Sequence, residues 1–176
     1  MRIIVFKGTK INGKTFGLPW FPFNKKELKR AIRIRALMKR IASGVLIKTP
    51  SDEVFYVINT HLEYASASVQ RKQLKKIYKF IKKKSEKYPI IFLGDLNLEI
   101  TNPILGDFTK KLEELGIKHV PVNDKTNAEK HREKTAIDHI YVPGNYKIIS
   151  YGAIYDEEIL AITDHKPIYV EIEKEG

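Results

Sequence analysis

Four short polar clusters could do chemistry: Asn59-Thr60-His61-Leu62, Gly94-Asp95-Leu96-Asn97, Ile137-Asp138-His139-Ile140 and Thr163-Asp164-His165-Lys166-Pro167. Each falls at the end of an apolar run that reads as a strand. A strand's end is where a rigid sheet can hold an Asp, Asn or His while leaving it open to a substrate. Carboxylates, imidazoles and an amide, with no cysteine in the chain, suit proton transfer and hard-cation binding, and exclude thiolate chemistry.

The second cluster says most. Ile90-Ile91-Phe92-Leu93 reads as a strand buried on both faces, and Gly94 gives a tight exit. In an extended segment Asp95 and Asn97 point one way and Leu96 points back into the core. A carboxylate beside an amide suits a phosphate: one orients or deprotonates a water or binds a metal, and the other donates to a phosphoryl oxygen. Read alone, the cluster fits somewhat better a turn whose Asp and Asn bond local backbone. His61 ends a strand in which Val57 and Asn59 share its face. Asp138 interrupts an apolar run, and a buried carboxylate needs a partner. A histidine is its natural one, and Asp164-His165 supplies both a candidate metal ligand and a candidate imidazole. Singly these clusters are weak; in this order they are strong.

The elements that must position them follow from periodicity. Residues 2–6 read as a short strand. Val45–Ile47 and Val54–Asn59 read as a hairpin around Thr49-Pro50-Ser51-Asp52. Leu74, Ile77, Tyr78 and Ile81 sit at helical spacing in Gln70–Lys87, and Pro89 follows where a helix must stop. Leu105–Leu115 is a second helix with Gly116 as its C-cap. Ala136–Val142, Lys147–Ala153 and Pro167–Ile172 are strands. Two readings compete near the start: Asn24 caps a helix from Lys25, or Ala31–Ala36 alternates as a strand. Trp20, Phe21 and Phe23 fall in a Gly- and Pro-rich loop.

Length and composition fit one domain, 1–176, with a basic segment at 1–40 and the readable region at 41–173. Of the net charge of +11, all the excess lies in residues 1–50, where Glu27 is the only acid. That segment reads either as a footprint for a polyanion, nucleic acid or an anionic membrane surface, or as a solvated basic face of thermophile-like composition. No stretch reaches the roughly 20 apolar residues of a membrane span. No secretory signal is legible, and the lack of cysteine fits a cytoplasmic protein.

The ordered set Asn59-Thr60-His61-Leu62, helix, Pro89 to Asn97, helix, Ala136 to Val142, and Thr163 to Glu173 resembles the C-terminal two-thirds of the endonuclease/exonuclease/phosphatase superfamily. That group includes DNase I, abasic-site endonucleases, sphingomyelinases, inositol-polyphosphate phosphatases and deadenylases. The resemblance implies an α/β (α+β) DNase I-like β-sandwich of two mixed sheets flanked by helices. It implies that His61 contacts the scissile phosphate, with Asn59 and Asn97 also binding substrate. Asp95 positions the water, Asp138 orients His165, and Asp164 with Asp95 holds Mg²⁺ or Mn²⁺. Thr163 stands where Ser is commoner, and His139 where an aromatic is usual.

One departure is large. Family members open with a strand ending in Asn, followed tens of residues later by a Glu, and both help hold the metal. Asn12, Asn24 and Glu27 do not reproduce that pattern, so an N-terminally truncated or naturally short sandwich is expected, with thin metal ligation and an exposed edge open to self-association. The expected activity is Mg²⁺- or Mn²⁺-dependent hydrolysis of a phosphodiester, in DNA or RNA. The alternatives are a lipid or small-molecule phosphoesterase, with Trp20 to Phe23 leaning on a membrane, and a catalytically impaired binding module.

Overall fold

The computed structural model describes residues 2–5, 40–122, 136–158, 163 and 165–175. The basic segment from Phe6, the Trp20 to Phe23 loop and the competing readings of 25–36 lie outside the described residues, as does Asp164.

The strands are β1 (Arg2–Val5), β2 (Ala42–Lys48), β3 (Val54–His61), β4 (Ile90–Asp95), β5 (Ile117–His119), β6 (Asp138–Pro143), β7 (Tyr146–Ala153) and β8 (Ile168–Lys174). Among the described residues two helices, α1 (Ala67–Ser85) and α2 (Pro103–Glu113), join them. They form a five-stranded sheet in the order β2-β3-β4-β6-β5 and a three-stranded sheet in the order β1-β8-β7. The larger sheet is mixed, because β3 and β4 run parallel while its other pairs are antiparallel. The smaller is antiparallel throughout its described pairs.

Strand alternation divides the core in two. Tyr56, Ile58, Ile90, Phe92 and Tyr141 face the helices and pack with Leu74, Ile77, Ile81, Leu105 and Phe108. Val57, Ile91, Leu93, Ile140 and Val142 face the smaller sheet and meet Ile168, Val170 and Ile172. Phe92 sits edge-on to Phe108, 5.7 Å between centroids, and is wholly buried. Truncating such a ring costs about 3–5 kcal/mol.

The helices start earlier than periodicity predicts. Ser66 precedes α1, and the buried face begins at Val69. Asn102 caps α2, its side chain accepting from Ile104 N, with Pro103 in the first turn, where a missing N–H costs nothing. Gly116 lies two residues beyond the C-cap Glu114, at φ +71°, and turns the chain into β5, a strand the pattern does not announce. The β2–β3 hairpin forms as expected, with Asp52 at φ +64° and Asp52 N donating to Thr49 O. No described helix is long and apolar enough to cross a membrane.

Candidate active site

Strand register assembles the site. His61 is the Cα partner of Asp95 across the parallel β3–β4 pair, and Asp95 is the partner of Asp138 across the antiparallel β4–β6 pair. Three strand ends thus place an imidazole and two carboxylates in one row. Alternation from Val57, Leu93 and Ile140 puts that row on the face toward the smaller sheet, where the apolar interior reaches its rim.

Gly94 makes this row possible. It pairs with Thr60, at φ +145°, and a Cβ there would lie 1.9 Å from Thr60 O. Only glycine admits so close an approach of β3 to β4 one residue before the functional pair.

The fourth group comes from the segment that leads into the other sheet. His165, at the entrance to β8, donates through Nδ1 to Asp138 Oδ2 at 2.7 Å. Its backbone N–H is accepted by Thr163 Oγ1 at 3.2 Å. The other ring nitrogen, Nε2, faces Asp95 Oδ2 at 3.9 Å, and His61 Nε2 lies 3.2 Å from the same oxygen. Asp95, Asp138 and His165 are buried, while His61 keeps about a third of its side chain exposed. Two imidazoles therefore converge on one carboxylate oxygen at the edge of solvent.

Asn97 departs from the extended geometry that alternation predicts. At φ +50° it turns the chain, and its backbone N–H donates to Asp95 Oδ1 at 2.9 Å. One hydrogen of its side-chain amide goes to Leu62 O at 2.9 Å. A primary amide has a second hydrogen to offer a ligand. Leu96 is wholly buried, as expected, and its N–H donates to Ile137 O. Asn59 stands two residues before His61 on the same strand face and is half-buried.

Several supports escape motif reading. Gln70, buried on α1, donates to Asn97 O at 3.3 Å. Glu63, also buried, accepts from Tyr64 N and Ala65 N at 3.0 Å each, while its own N–H donates to Gln73 Oε1. These bonds fix the loop that leaves His61. The signal for Gln70 and Gln73 was available: two uncharged polar residues on the apolar face of a lysine-rich helix need partners.

His139 fills the position where an aromatic is usual, and it makes polar contacts of its own. It lies 2.7 Å from Leu98 O through Nε2 and 3.0 Å from His119 Nε2 through Nδ1. A carbonyl only accepts, so Nε2 carries the proton, Nδ1 is the acceptor, and His119 Nε2–H donates to it. Burial is the larger cause that pushes His119 down to about 4, with the neighbouring His139 adding to it. Burial also lowers His139, against the opposing pull of the Leu98 carbonyl and of Asp138.

The donor set can be tested against a cation. Asp95, Asp138 and His165 each offer an atom within 4.8 Å of one another. Oxygen and imidazole donors without a thiolate fit a divalent cation.

Comparison with solved structures gives a consistent result. An endonuclease/exonuclease/phosphatase from Bacteroides vulgatus superposes with a TM-score of 0.66 at 20% identity, covering 78% of this chain and 57% of that one. The chain has the fold of the endonuclease/exonuclease/phosphatase superfamily. A mannosyl-6-phosphatase from Bacteroides thetaiotaomicron matches at a TM-score of 0.61 and 19% identity, over 78% of this chain and 58% of that one. D. rerio TDP2 complexed with single strand DNA product matches at 0.61 and 20%, over 78% and 63%. The chain thus spans little more than half the length of these endonuclease/exonuclease/phosphatase-fold structures. No protein-family model and no curated protein matches the sequence.

Proposed function

We propose that this chain carries the phosphoester-hydrolysing centre of a divalent-metal-dependent enzyme acting on a nucleic-acid phosphodiester. The observation that carries the reading is the convergence of His61 and His165 on Asp95 Oδ2, with Asp138 behind His165.

In this reading Asp95 orients the attacking water and takes up its proton. Asn97 gives its remaining amide hydrogen to a phosphoryl oxygen, adding no negative charge where charge develops. His61, the most exposed of the four charged or imidazole groups, contacts the phosphate and donates a proton to the leaving oxygen. Asp138 fixes the His165 ring so that Nε2 faces the reacting space, and Asn59 completes the substrate side. Asp95 and His165 would hold Mg²⁺ or Mn²⁺, with Asp164 a further ligand proposed from the sequence. A bound cation supplies positive charge against the phosphoryl oxygens.

Nucleic acid is favoured over a small phosphoester by the chain's basic balance, net +11. The lipid reading depends on Trp20 to Phe23, outside the described residues. The test is cleavage of labelled DNA and RNA oligonucleotides with Mg²⁺ or Mn²⁺. Cleavage that disappears in Asp95→Ala and His165→Ala supports the proposal. Absence of cleavage of either polymer and of a generic phosphodiester defeats it for this chain, and leaves a binding module.

A further inference from the structure

Residues 51–176 are nearly neutral in sum, but that balance hides a concentrated charge. Helix α1 carries Arg71, Lys72, Lys75, Lys76, Lys79, Lys82, Lys83 and Lys84, eight cations, and no carboxylate. Some of these serve the fold: Lys84 lies over the Tyr56 ring at 4.7 Å. Others do not face the core. Arg71, Lys75 and Lys79 are exposed and line one wall of a groove between α1 and α2, with Lys111 on the opposite wall beside a single acid, Asp107.

Topology fixes where this groove leads. Both helices follow strands whose C-terminal ends build the site, β3 before α1 and β4 before α2, so both start at the site's rim and run away from it. Gln70, one residue before Arg71, touches the Asn97 carbonyl. The row Arg71, Lys75, Lys79 therefore leads away from the site at about 6 Å per step, some ~12 Å in all, from a rise of ~1.5 Å per residue.

The occupant follows from what the groove exposes. Its volume is about 450 Å³, room for a chain segment more than for a lone ion. Leu74, Ile104 and Phe108 form its floor but are at most 8% exposed, so an amphipathic helix would find little apolar area to bury. Four cations against one carboxylate instead match a phosphate backbone. Tyr78, partly exposed in the same groove, offers a ring face to a base.

We infer that the groove between α1 and α2 is a track for single-stranded nucleic acid, holding through Arg71, Lys75, Lys79 and Lys111 the strand that extends from the proposed catalytic site. The inference takes its polymer from the proposed function, but its test does not require catalysis.

The experiment is fluorescence anisotropy with a labelled single-stranded 20-mer and the whole chain in EDTA, across roughly 50–200 mM salt, the range over which phosphate contacts are read. Arg71→Glu/Lys75→Glu/Lys79→Glu protein is expected to bind at least about tenfold more weakly, with a salt slope shallower by about 2, near 0.7 per lost contact. The charge-matched Lys72→Glu/Lys76→Glu/Lys83→Glu protein, altered on the part of the helix that does not line the groove, is expected to bind several-fold more tightly than the first variant. Circular dichroism should show both variants folded. No binding by the unaltered chain overturns the inference. So does equal weakening in the two variants, which would mean diffuse attraction. Displacement of the oligonucleotide by a polyglutamate peptide at equal or lower concentration also overturns it, in favour of an acidic protein. A chain that binds as described but cleaves nothing keeps this inference and loses the proposed function. A chain that cleaves while the first variant binds normally does the reverse.

Discussion

Asp138 opens a strand of the larger sheet and His165 lies on the segment leading into β8 of the smaller one, and their side chains meet at 2.7 Å, both almost fully enclosed. An enclosed carboxylate that accepts from Nδ1 holds the imidazole in one tautomer and one orientation, with Nε2 toward Asp95. Asp138→Asn keeps the shape but can present an N–H to Nδ1, which reverses the tautomer. The expected result is a loss of about 10²–10⁴ in the rate of phosphodiester cleavage with little change in KM, the range for a positioned acid–base group. Single-turnover kinetics on an oligonucleotide would measure it, and an unchanged rate would remove His165 from the chemistry.

Gly94→Ala tests the strand contact beneath the site. The new methyl would meet Thr60 O at 1.9 Å, and the backbone sits at φ +145°. Overpacking and backbone strain together should cost on the order of 3 kcal/mol. Denaturant unfolding would show this as a lower midpoint, and His61 and Asp95 should separate enough to reduce activity in the protein that remains folded. Full stability in the variant would contradict the geometry.

The parts of this site legible in the sequence were those that local pattern controls. The buried run Ile90 to Leu93 announces a central strand, and every residue of β4 is buried. Asp138 inside an apolar run demands a partner, and the partner is His165. The partners of long-range supports were not legible, because they are far away in sequence. Gln70 on the apolar face of a lysine-rich helix signals that it needs a partner, but not that the partner is Asn97. His119 reads as incidental until β5 pairs with β6 and brings it to His139. The extended reading of 95–97 failed because Asp95 Oδ1 accepts from the Asn97 N–H, which favours the positive φ of a turn over continuation of the strand.

His119 gives the protein an acid-side weakness. Burial, chiefly, lowers its pKa from 6.5 to about 4. The unfolded chain, with an ordinary histidine, takes up the proton first. Stability should therefore be full above pH 6.5 and decline as pH falls toward about 4, by on the order of 3 kcal/mol. His119→Gln keeps an N–H for His139 Nδ1 but removes this ionisation, so its melting temperature should fall less over the same window. Equal pH profiles for the two proteins would show that His119 does not contribute.

Gln70→Leu separates positioning from folding. Leucine is of similar size and suits the apolar face of α1, so the melting temperature should hold or rise. The donor to Asn97 O disappears, however, and the turn carrying Asn97 loses one of its ties. A misplacement approaching 1 Å can cost up to about 100-fold in rate, and a roughly tenfold loss is expected here. Restored activity in Gln70→Asn would be inconsistent with this account, because the shorter amide cannot span the same distance.

Metal binding is the remaining expectation, and it separates an enzyme from an inert scaffold. Asp95 Oδ1 is held by the Asn97 N–H, while Oδ2 faces two imidazole nitrogens. Metal ligands must be deprotonated, so a cation competes with protons for these groups. Titrating Mn²⁺ calorimetrically should show one site per chain and the release of protons to the buffer, seen as a heat that changes with the buffer's ionisation enthalpy. Asp95→Asn should abolish that heat while leaving the fold intact, since the amide still accepts from Asn97 N but no longer carries charge. If the unaltered chain gives no heat at millimolar Mn²⁺, Asp95 and His165 hold no metal, and the scaffold would bind nucleic acid without cutting it.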